Sequence, residues 1–269
     1  MAASSLAEPL ATRAHLNLIE SSKRLSQLDP EAEVETAEGW MFGAGSFDHP
    51  AITNTAFRAD DSLDPSELIG QAREFFGRRG RGFCVWARDG GDEDRDLIDA
   101  CEAEGLAEVY AMPEMVLEAP AEMPEARPGT SIRPFAAGED ADYWRIAAAS
   151  YAELGFPPEV FTQYSDDEAL VGDGFAVFFG DLEGEPAAIG LAIVSDGVAG
   201  IYWVGCMPQA RGHGLGRAVT AAATNAGFEL GADFASLQAS PLGRPIYEAM
   251  GYCTIYDYRL RLCPPPGAA

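Results

Sequence analysis

The chain has 269 residues, of which 43 are acidic and 18 basic, so its net charge is −25, and 47% of its residues are hydrophobic. This length and apolar content predict about two globular domains, and the acidity argues against binding to nucleic acids and anionic membranes, which requires a basic footprint. The cysteines show no paired short spacing and no leader or spanning segment is recognisable, which predicts a cytoplasmic protein without a metal site or disulfide framework.

The first half alternates helical and strand patterns, as α/β folds do. Helices are predicted over residues 11–28, 65–79 and 95–104, and strands over 34–42, 51–58, 83–87, near Val109 and over 115–117. Residues 40–49 form a glycine- and aromatic-rich turn, which we interpret as a hairpin packed against the other half. The alternative is that His49 of this turn lines a ligand cavity. Residues 119–129 are rich in proline and are predicted to be a linker.

The second half has a different order of patterns, with three consecutive strands in its middle. Strands are predicted over 131–134, 174–181, 187–196, 198–206, 234–239 and 252–262. Helices are predicted over 138–154, from the break at 155–158 to residue 164, in the alanine-rich stretch after residue 214, and over 246–250. Pro245 is suited to the start of the last helix and Gly251 to its end.

The most informative segment is residues 209–217, which join an apolar strand to the alanine-rich helix. Its three alternating glycines, Gly212, Gly214 and Gly216, leave backbone N–H groups free at a helix N-terminus, where they can bind a pyrophosphate. The window 197–228 contains no Asp or Glu, although the chain as a whole is strongly acidic, and it carries Arg211 and Arg217. The segment therefore predicts an anion site.

Two common glycine loops do not fit this spacing. A dinucleotide-binding loop requires a third glycine where Arg217 stands, and a Walker A loop requires a lysine, whereas the only lysine in the chain is Lys23. The segment resembles instead the acyl-CoA loop of the GNAT superfamily of N-acetyltransferases, Gln/Arg-x-x-Gly-x-Gly/Ala. Gln209, Gly212 and Gly214 match that pattern.

A second block further along the chain supports the resemblance. Residues 247–252 read Tyr-Glu-Ala-Met-Gly-Tyr, which is similar to the GNAT form Tyr-Glu-x-x-Gly-Phe/Tyr. The two blocks together identify residues 130–262 as an acetyl-CoA-binding catalytic domain of this family. The resemblance implies the GNAT fold, an α/β (α+β) mixed sheet with helices on both faces.

The resemblance also implies a reaction, the direct transfer of an acetyl group from acetyl-CoA to a primary amine. The pyrophosphate is expected on the amides of the loop, and the pantetheine arm beside the backbone of the strand before it. The cofactor-binding residues implied in this way are Val204, Gly205, Cys206, Gln209, Arg211, Gly212, His213, Gly214, Leu215, Gly216 and Arg217.

The catalytic groups are only partly implied. Tyr247 aligns with the tyrosine that commonly lies near the CoA sulfur, so it is expected to protonate the leaving thiolate; the alternative is a buried core tyrosine. The strand before the loop carries no acid, so Glu153 or a water held by Ser240 is the candidate base. A covalent role for Cys206 is a remote alternative.

The acceptor and the biological role stay open at this stage. Small amines, aminoglycoside-like molecules, amino acids and protein N-termini are all compatible with the sequence, and so is a monomer or a homodimer. The net charge would attract a cationic amine, but a solubilising surface is the favoured explanation. The functional alternatives are an acyl-CoA-binding sensor without turnover and a scaffold with an empty loop.

The first half contains a weaker copy of the second block. Residues 83–87 followed by 101–106 parallel residues 234–239 followed by 247–252. This predicts a degenerate GNAT-like domain over residues 10–118, packed with the second domain as a pseudo-twofold unit; a coincidental α/β pattern is the alternative. Asp60, Asp61 and Asp64 stand where a pyrophosphate would bind, and Cys101 stands at the position of Tyr247, so one acetyl-CoA per chain is expected.

Overall fold

The structure is a computed structural model that describes residues 9–164 and 170–268. In the first half, helices and strands alternate much as the sequence predicts. The single strand predicted over 34–42 is two strands joined by a turn at Gly39, whose φ is +96°. The elements of this half are α1 (Leu10–Ser26), β1 (Glu33–Ala37), β2 (Trp40–Ala44), β3 (Asn54–Arg58), α2 (Pro65–Gly77), β4 (Phe83–Asp89), α3 (Arg95–Ala103) and β5 (Ala107–Leu117).

The second half also follows the predicted order. The helix predicted over 138–154 ends as an α-helix at Tyr151 and continues as a 3-10 turn over Ala152–Leu154, and the next predicted helix is a 3-10 helix over Pro158–Gln163. The elements are β6 (Thr130–Pro134), α4 (Asp140–Tyr151), β7 (Phe175–Leu182), β8 (Glu185–Ser195), β9 (Val198–Cys206), α5 (Leu215–Glu229), β10 (Phe234–Gln238), α6 (Arg244–Ala249) and β11 (Cys253–Cys263).

One sheet runs through both halves. Within the described residues, eleven strands are ordered β1-β2-β3-β4-β11-β5-β10-β9-β8-β7-β6. The last strand of each half is exchanged into the other half: β11 lies between β4 and β5, and β5 lies between β10 and β11. The two halves therefore share backbone hydrogen bonds and do not hang apart on the linker.

Helix α1 strengthens this connection because it packs on strands of the second half. The Asn17 amide donates to the carbonyls of Ile193 and Val198, and it accepts a hydrogen bond from the Tyr202 hydroxyl at 3.0 Å. These partners lie on β8 and on β9, the strand that enters the glycine loop. A helix of the first half thus forms a wall beside the predicted site.

Strand β9 contains a bulge where it approaches the loop. Its pairing with β8 shifts register between Tyr202 and Gly205, and Trp203 in the shift has a φ of +48°, which is unusual for a bulky residue. Gly205 itself is required for packing, since an added Cβ would lie 2.7 Å from Ser150 Oγ of α4. The bulge therefore lies just before Gly205, and the glycine allows the close approach of a helix.

No helix among the described residues is long and apolar enough to cross a bilayer.

Helix α2 illustrates how the local sequence determines where a helix begins. Pro65 occupies its first turn, and Asp64 caps it by accepting from the backbone N–H groups of Ser66 and Glu67. Asp64, which the sequence suggested as a charge opposing a pyrophosphate, therefore has a structural partner.

Candidate functional site

Two cavities meet where β9, β10 and α6 come together. The first, the loop cavity, has a volume of about 690 Å³ and is lined by the glycine loop; the second, the central cavity, has a volume of about 430 Å³ and lies between the two halves. Both are lined by Tyr151, Leu154, Val204, Gln238, Ser240 and Tyr247. A molecule in one cavity can therefore contact a molecule in the other at these six residues, which we call the junction.

The gap that holds the cavities comes from the sheet. Strands β9 and β10 are parallel and pair only as far as Gly200 and Ser236, after which no register between them is found in the described structure. The backbone of β9 from Ile201 to Cys206 is therefore not paired with β10. Within this stretch the Val204 carbonyl accepts a hydrogen bond from the Tyr151 hydroxyl at 3.3 Å. Such a free edge can bind an extended amide-containing chain.

The glycine loop has the geometry that an anion site requires. Gly212 and Gly214 have φ values of +82° and +81°, a region in which L side chains are strained, and Gly214 is the N-cap of the 15-residue helix α5. Among the described residues, no side chain caps the start of this helix. Those N–H groups and the positive end of the helix dipole are thus available to a phosphate.

Arginines complete the charge of the loop cavity. Arg127, Arg211 and Arg217 line it, and among the described residues no Asp or Glu does. The Arg217 Nε atom is buried and has no hydrogen-bond partner within the described chain. In a protein with a net charge of −25, this is a local positive cavity with an unsatisfied donor, and it suits a polyanionic ligand such as the phosphates of CoA.

Most of the predicted cofactor-binding residues line the loop cavity. They are Val204, Gly205, Cys206, Arg211, Gly212, Gly214, Leu215, Gly216 and Arg217. Gln209 is exposed on the 3-10 turn Pro208–Ala210 and is outside the lining. The His213 ring is also outside it, because its Nδ1 contacts the carbonyl oxygens of Ala210 and Arg211, both at 3.2 Å.

Tyr247 and Ser240 lie at the junction. Burial raises the pKa of Tyr247 to about 12, so its hydroxyl keeps its proton at neutral pH. Gly243 allows the Tyr247 ring to lie close to the preceding turn, since an added Cβ would be 2.7 Å from its Cε2 atom. The Ser240 hydroxyl accepts from the Gly243 backbone N–H at 3.1 Å and keeps its own proton available.

Glu153 precedes Leu154, a lining residue of the loop cavity. It forms an ion pair with Arg211 and is about half exposed, and it lines neither cavity. The side chain therefore holds the loop arginine. Of the two candidate bases, only Ser240 is at the junction.

Three residues at or next to the two cavities were not predicted from the sequence. Arg127 lies in the predicted linker, yet it lines the loop cavity and donates to the Gly212 carbonyl. Gln238 lies at the junction, and its Nε2 atom donates to Glu114 Oε2 at 2.6 Å. Glu114 is fully buried, and desolvation raises its pKa to about 8. No local signal points to the last pair, because the exchange of β5 creates it.

The central cavity draws its walls from both halves. Helix α1, the turn between β2 and β3, β4 and β5 contribute from the first half, and α4, the 3-10 helix, β9, β10 and α6 contribute from the second. The turn of residues 40–49 combines the two roles that were considered for it, packing against the second half and lining a cavity. It packs against the second half, where the Phe47 backbone N–H donates to Gln163 Oε1, and its His49 lines the cavity.

In the first half, acidic side chains form ion pairs with buried arginines. Asp61 contacts Arg88, and the buried Asp94 contacts both Arg88 and the fully buried Arg58. Burial alone would raise the pKa of Asp94, but its hydrogen bonds and charge contact with Arg88 hold that pKa at about 2. The arginines of this region thus have protein partners, unlike Arg217 in the second half.

Comparison with known proteins adds an independent finding. Residues 140–252 match the family model described as acetyltransferase (GNAT) family. This segment belongs to the GNAT family. The match covers both the glycine loop and the Tyr247 block, which are the two features on which the resemblance rested.

The relatives found in sequence are two proteins named mycothiol acetyltransferase. The one from Cellulomonas flavigena is 30% identical over 175 residues, which is 58% of this chain and 49% of that protein. The one from Kytococcus sedentarius is 35% identical over 108 residues, which is 38% of this chain and 36% of that protein. The chain thus spans about half or less of these relatives.

Solved structures match nearly the whole chain. A GCN5-related N-acetyltransferase from Kribbella flavida has a TM-score of 0.71 at 22% identity and covers 97% of this chain and 98% of its own. A tandem GNAT protein from the clavulanic acid biosynthesis pathway has a TM-score of 0.61 at 14% identity, with coverages of 93% and 96%. These likenesses confirm the predicted fold class, an α/β mixed sheet with two GNAT-like units in tandem.

Proposed function

We propose that the chain is an N-acetyltransferase that binds acetyl-CoA in the loop cavity and transfers the acetyl group to a primary amine in the central cavity. The observation that carries the proposal is the junction, where a cavity suited to an anionic cofactor meets a second cavity beside Tyr247 and Ser240. Direct attack requires such a meeting point, because both substrates must be present at once.

The support for acetyl-CoA is the chemistry of the loop cavity. Free amides at the start of α5 and the three arginines suit the pyrophosphate, and the Arg217 Nε lacks a partner that a phosphate oxygen would supply. The free edge of β9 at Val204, Gly205 and Cys206 suits the amide groups of a pantetheine arm. When bound, acetyl-CoA supplies the activated thioester.

Tyr247 is the proposed proton donor. Its hydroxyl stays protonated at neutral pH, and it lies at the junction where the thiolate of the departing CoA would form. The burial that weakens the tyrosine as an acid also raises the proton affinity of a thiolate formed beside it. The pKa values of the tyrosine hydroxyl and of the CoA thiol therefore rise together, and proton transfer between them stays close to balanced.

A water molecule held by Ser240 is the favoured route for removing the amine proton. Ser240 lies at the junction, whereas Glu153 is engaged by Arg211 and would have to leave that ion pair to act as a base. A covalent route through Cys206 is disfavoured, because burial raises the pKa of its thiol and keeps it in the less nucleophilic form.

We also propose that the two units are residues 10–118 and 130–262, joined by 119–129, and that only the second binds acetyl-CoA. The support is the contrast between the two regions: Arg58 and Arg88 are neutralised by Asp61 and Asp94 in the first, whereas Arg217 has an unpartnered donor in the second. A stoichiometry of one acetyl-CoA per chain follows.

Two measurements test the proposal. Titration calorimetry should give one acetyl-CoA site per chain, and amines should accelerate the release of free CoA. Binding of acetyl-CoA without amine-dependent release would favour the alternative, an acyl-CoA-binding sensor. Because the sequence relatives are named mycothiol acetyltransferase, an acceptor from mycothiol chemistry should be included among the amines.

A further inference from the structure

The lining of the central cavity restricts its ligand. Aromatic side chains enter it from both halves, Trp86 and Tyr110 from the first and Phe156, Phe161 and Trp203 from the second. The Trp203 ring packs edge-on against Phe161 at 5.3 Å, so the far wall is a packed aromatic surface. Such walls bind an apolar body by removing it from water.

The cavity has no cationic side chain. Among the described residues no Lys or Arg lines it, and residues 1–8, 165–169 and 269, which the structure does not describe, contain neither in the sequence. His49 lines the cavity, and burial lowers the pKa of its ring, which disfavours the charged form. Its Nδ1 atom accepts from the Ala51 backbone N–H at 3.3 Å.

The arginines on the surrounding elements have partners of their own. Arg24 of α1 is paired with Glu20. Arg88 of β4 is paired with Asp94. Among the described residues, an anionic group entering the cavity would thus find no positive partner. It could accept only from neutral donors such as the unpartnered indole N–H groups of Trp86 and Trp203, which do not replace a counter-charge in a protein interior.

Among the described residues, Asp29 is the one carboxylate in the lining, and both of its oxygens already accept hydrogen bonds. Its Oδ2 atom accepts from the Ser46 backbone N–H at 2.6 Å, and its Oδ1 atom accepts from the Glu31 backbone N–H at 3.0 Å. Asp29 is buried and holds the turn between β2 and β3. It adds negative potential to the cavity, which opposes anions further and favours an amine.

From these observations we infer that the acceptor is a primary amine with an apolar aromatic or aliphatic body and no anionic group. This inference rests on the proposed acetyl transfer, and it assigns the acceptor class of the central cavity. It separates such amines from amino acids, whose carboxylate would have to enter the same cavity.

Matched pairs of amines test the inference. The first pair is 2-phenylethylamine and phenylalanine, and the second is hexylamine and 6-aminohexanoate, whose amino groups have similar pKa values because the carboxylate is distant. We expect kcat/KM to be at least about 100-fold higher for the uncharged body in each pair, because the carboxylate finds no counter-charge. Equal or reversed preference within both pairs would overturn the inference while leaving acetyl transfer intact.

A binding measurement with the same compounds tests the acceptor class without requiring turnover. If no amine releases CoA, the proposed function fails, and the acceptor class is then judged from the shift in melting temperature with 2-phenylethylamine against phenylalanine. A shift with the amine alone supports the apolar cavity. No shift with either, or a larger one with phenylalanine, overturns it.

A positive charge placed in the lining of the central cavity should weaken the preference for 2-phenylethylamine over phenylalanine. Ser22 of α1 lines the cavity and is partly exposed. Ser22→Lys supplies the missing cation, so the ratio of kcat/KM, or of binding, between 2-phenylethylamine and phenylalanine should fall by about tenfold or more. Ser22→Gln is the control of similar reach without charge and should keep the wild-type ratio. An equal effect of both variants would assign the change to size and contradict the inference.

Discussion

Tyr247 and Tyr252 lie close together, with ring centroids 6.0 Å apart, yet their hydroxyls have different surroundings. The Tyr252 hydroxyl bonds to Thr224 Oγ1 at 2.6 Å, and Tyr252 lines neither cavity. Tyr247 lies at the junction and lines both. The two residues therefore offer a matched comparison of a proposed catalytic hydroxyl with a structural one.

Tyr247→Phe is expected to lower kcat by roughly ten- to a thousandfold and to leave acetyl-CoA affinity nearly unchanged. The hydroxyl is needed only when negative charge develops on the sulfur, and phenylalanine keeps the ring in place. Steady-state kinetics and calorimetry check both parts. Tyr252→Phe, the control, should lose stability but keep kcat; an unchanged kcat in Tyr247→Phe would leave Tyr247 as a core residue.

Glu114 gives a prediction about pH and stability. Its pKa is about 8 in the folded protein, above the usual value of 4.5, so between these two pH values the folded state retains a proton that the unfolded chain releases. The free energy of unfolding therefore falls as pH rises through this window. Glu114→Gln cannot ionise, and its stability relative to the wild type should rise by up to about 1.4 kcal/mol per pH unit.

Denaturant unfolding at pH 5 and pH 8 measures that difference. His15 is buried with a pKa of about 4 and also makes stability depend on pH, but it is present in both proteins and cancels. A difference in unfolding free energy that stays constant between the two pH values would show that Glu114 ionises normally.

Some residues of the candidate site belong to local sequence patterns, and others are brought to it by long-range contacts. Tyr247 and the glycines belong to short local patterns, so the sequence was sufficient to find them. Glu114 and Arg127 act across the exchanged strand and the linker, and a pair such as Glu114 and Gln238, separated by 124 positions, leaves no local trace. Those contacts became visible only in the folded sheet.

At the scale of elements, the start of α5 is where the proposed binding of acetyl-CoA depends most on backbone conformation. Gly214 and Gly231 flank this helix, and both have positive φ values, +81° and +96°. A Cβ at Gly231 would meet no atom of the described residues within 4 Å, whereas Gly214 lines the loop cavity and a Cβ there would lie 3.4 Å from Arg127 Nε. Similar backbone strain thus occurs at one position that lines the loop cavity and at one position with open space around it.

Gly214→Val should weaken acetyl-CoA binding by roughly 100-fold or more, because the side chain blocks the approach of a phosphate to the backbone. Gly231→Val imposes similar strain, about 1–2 kcal/mol, and should bind acetyl-CoA like the wild type. Calorimetry on both variants, after circular dichroism has shown that they are folded, measures the contrast. Equal loss in both would mean that strain rather than contact explains the effect.

For the whole molecule, the order of elements could be predicted but the topology of the sheet could not. Alternating patterns and turn residues place each strand along the chain, and they contain no information about which distant strand lies beside it. The exchange of β5 and β11 is decided by long-range pairing. The predicted association of the halves therefore has a basis that the sequence did not reveal, namely shared backbone hydrogen bonds in addition to apolar burial.

Cleavage in the linker tests this association. Residues 122 and 123 are exposed, and Ala121 is tied to Asn225 by hydrogen bonds of 2.7 and 3.0 Å, so a protease site inserted after Met123 should be cut without disturbing the fold. The two fragments should elute together on size-exclusion chromatography, because β5 and β11 remain in the opposite halves. Elution as two separate species under native conditions would show that the exchanged strands do not hold the molecule together.

The exchange of strands also has a consequence during synthesis. The sheet has a space between β4 and β5 that β11 fills, and β11 begins at Cys253, 136 residues after β5 ends at Leu117. While the ribosome is still producing the second half, β4 lacks one of its two final neighbours and β5 lacks both. Unpaired strands of this kind invite association with other nascent chains. The first half is therefore made before the second half, yet its sheet is completed only after the second half has been made.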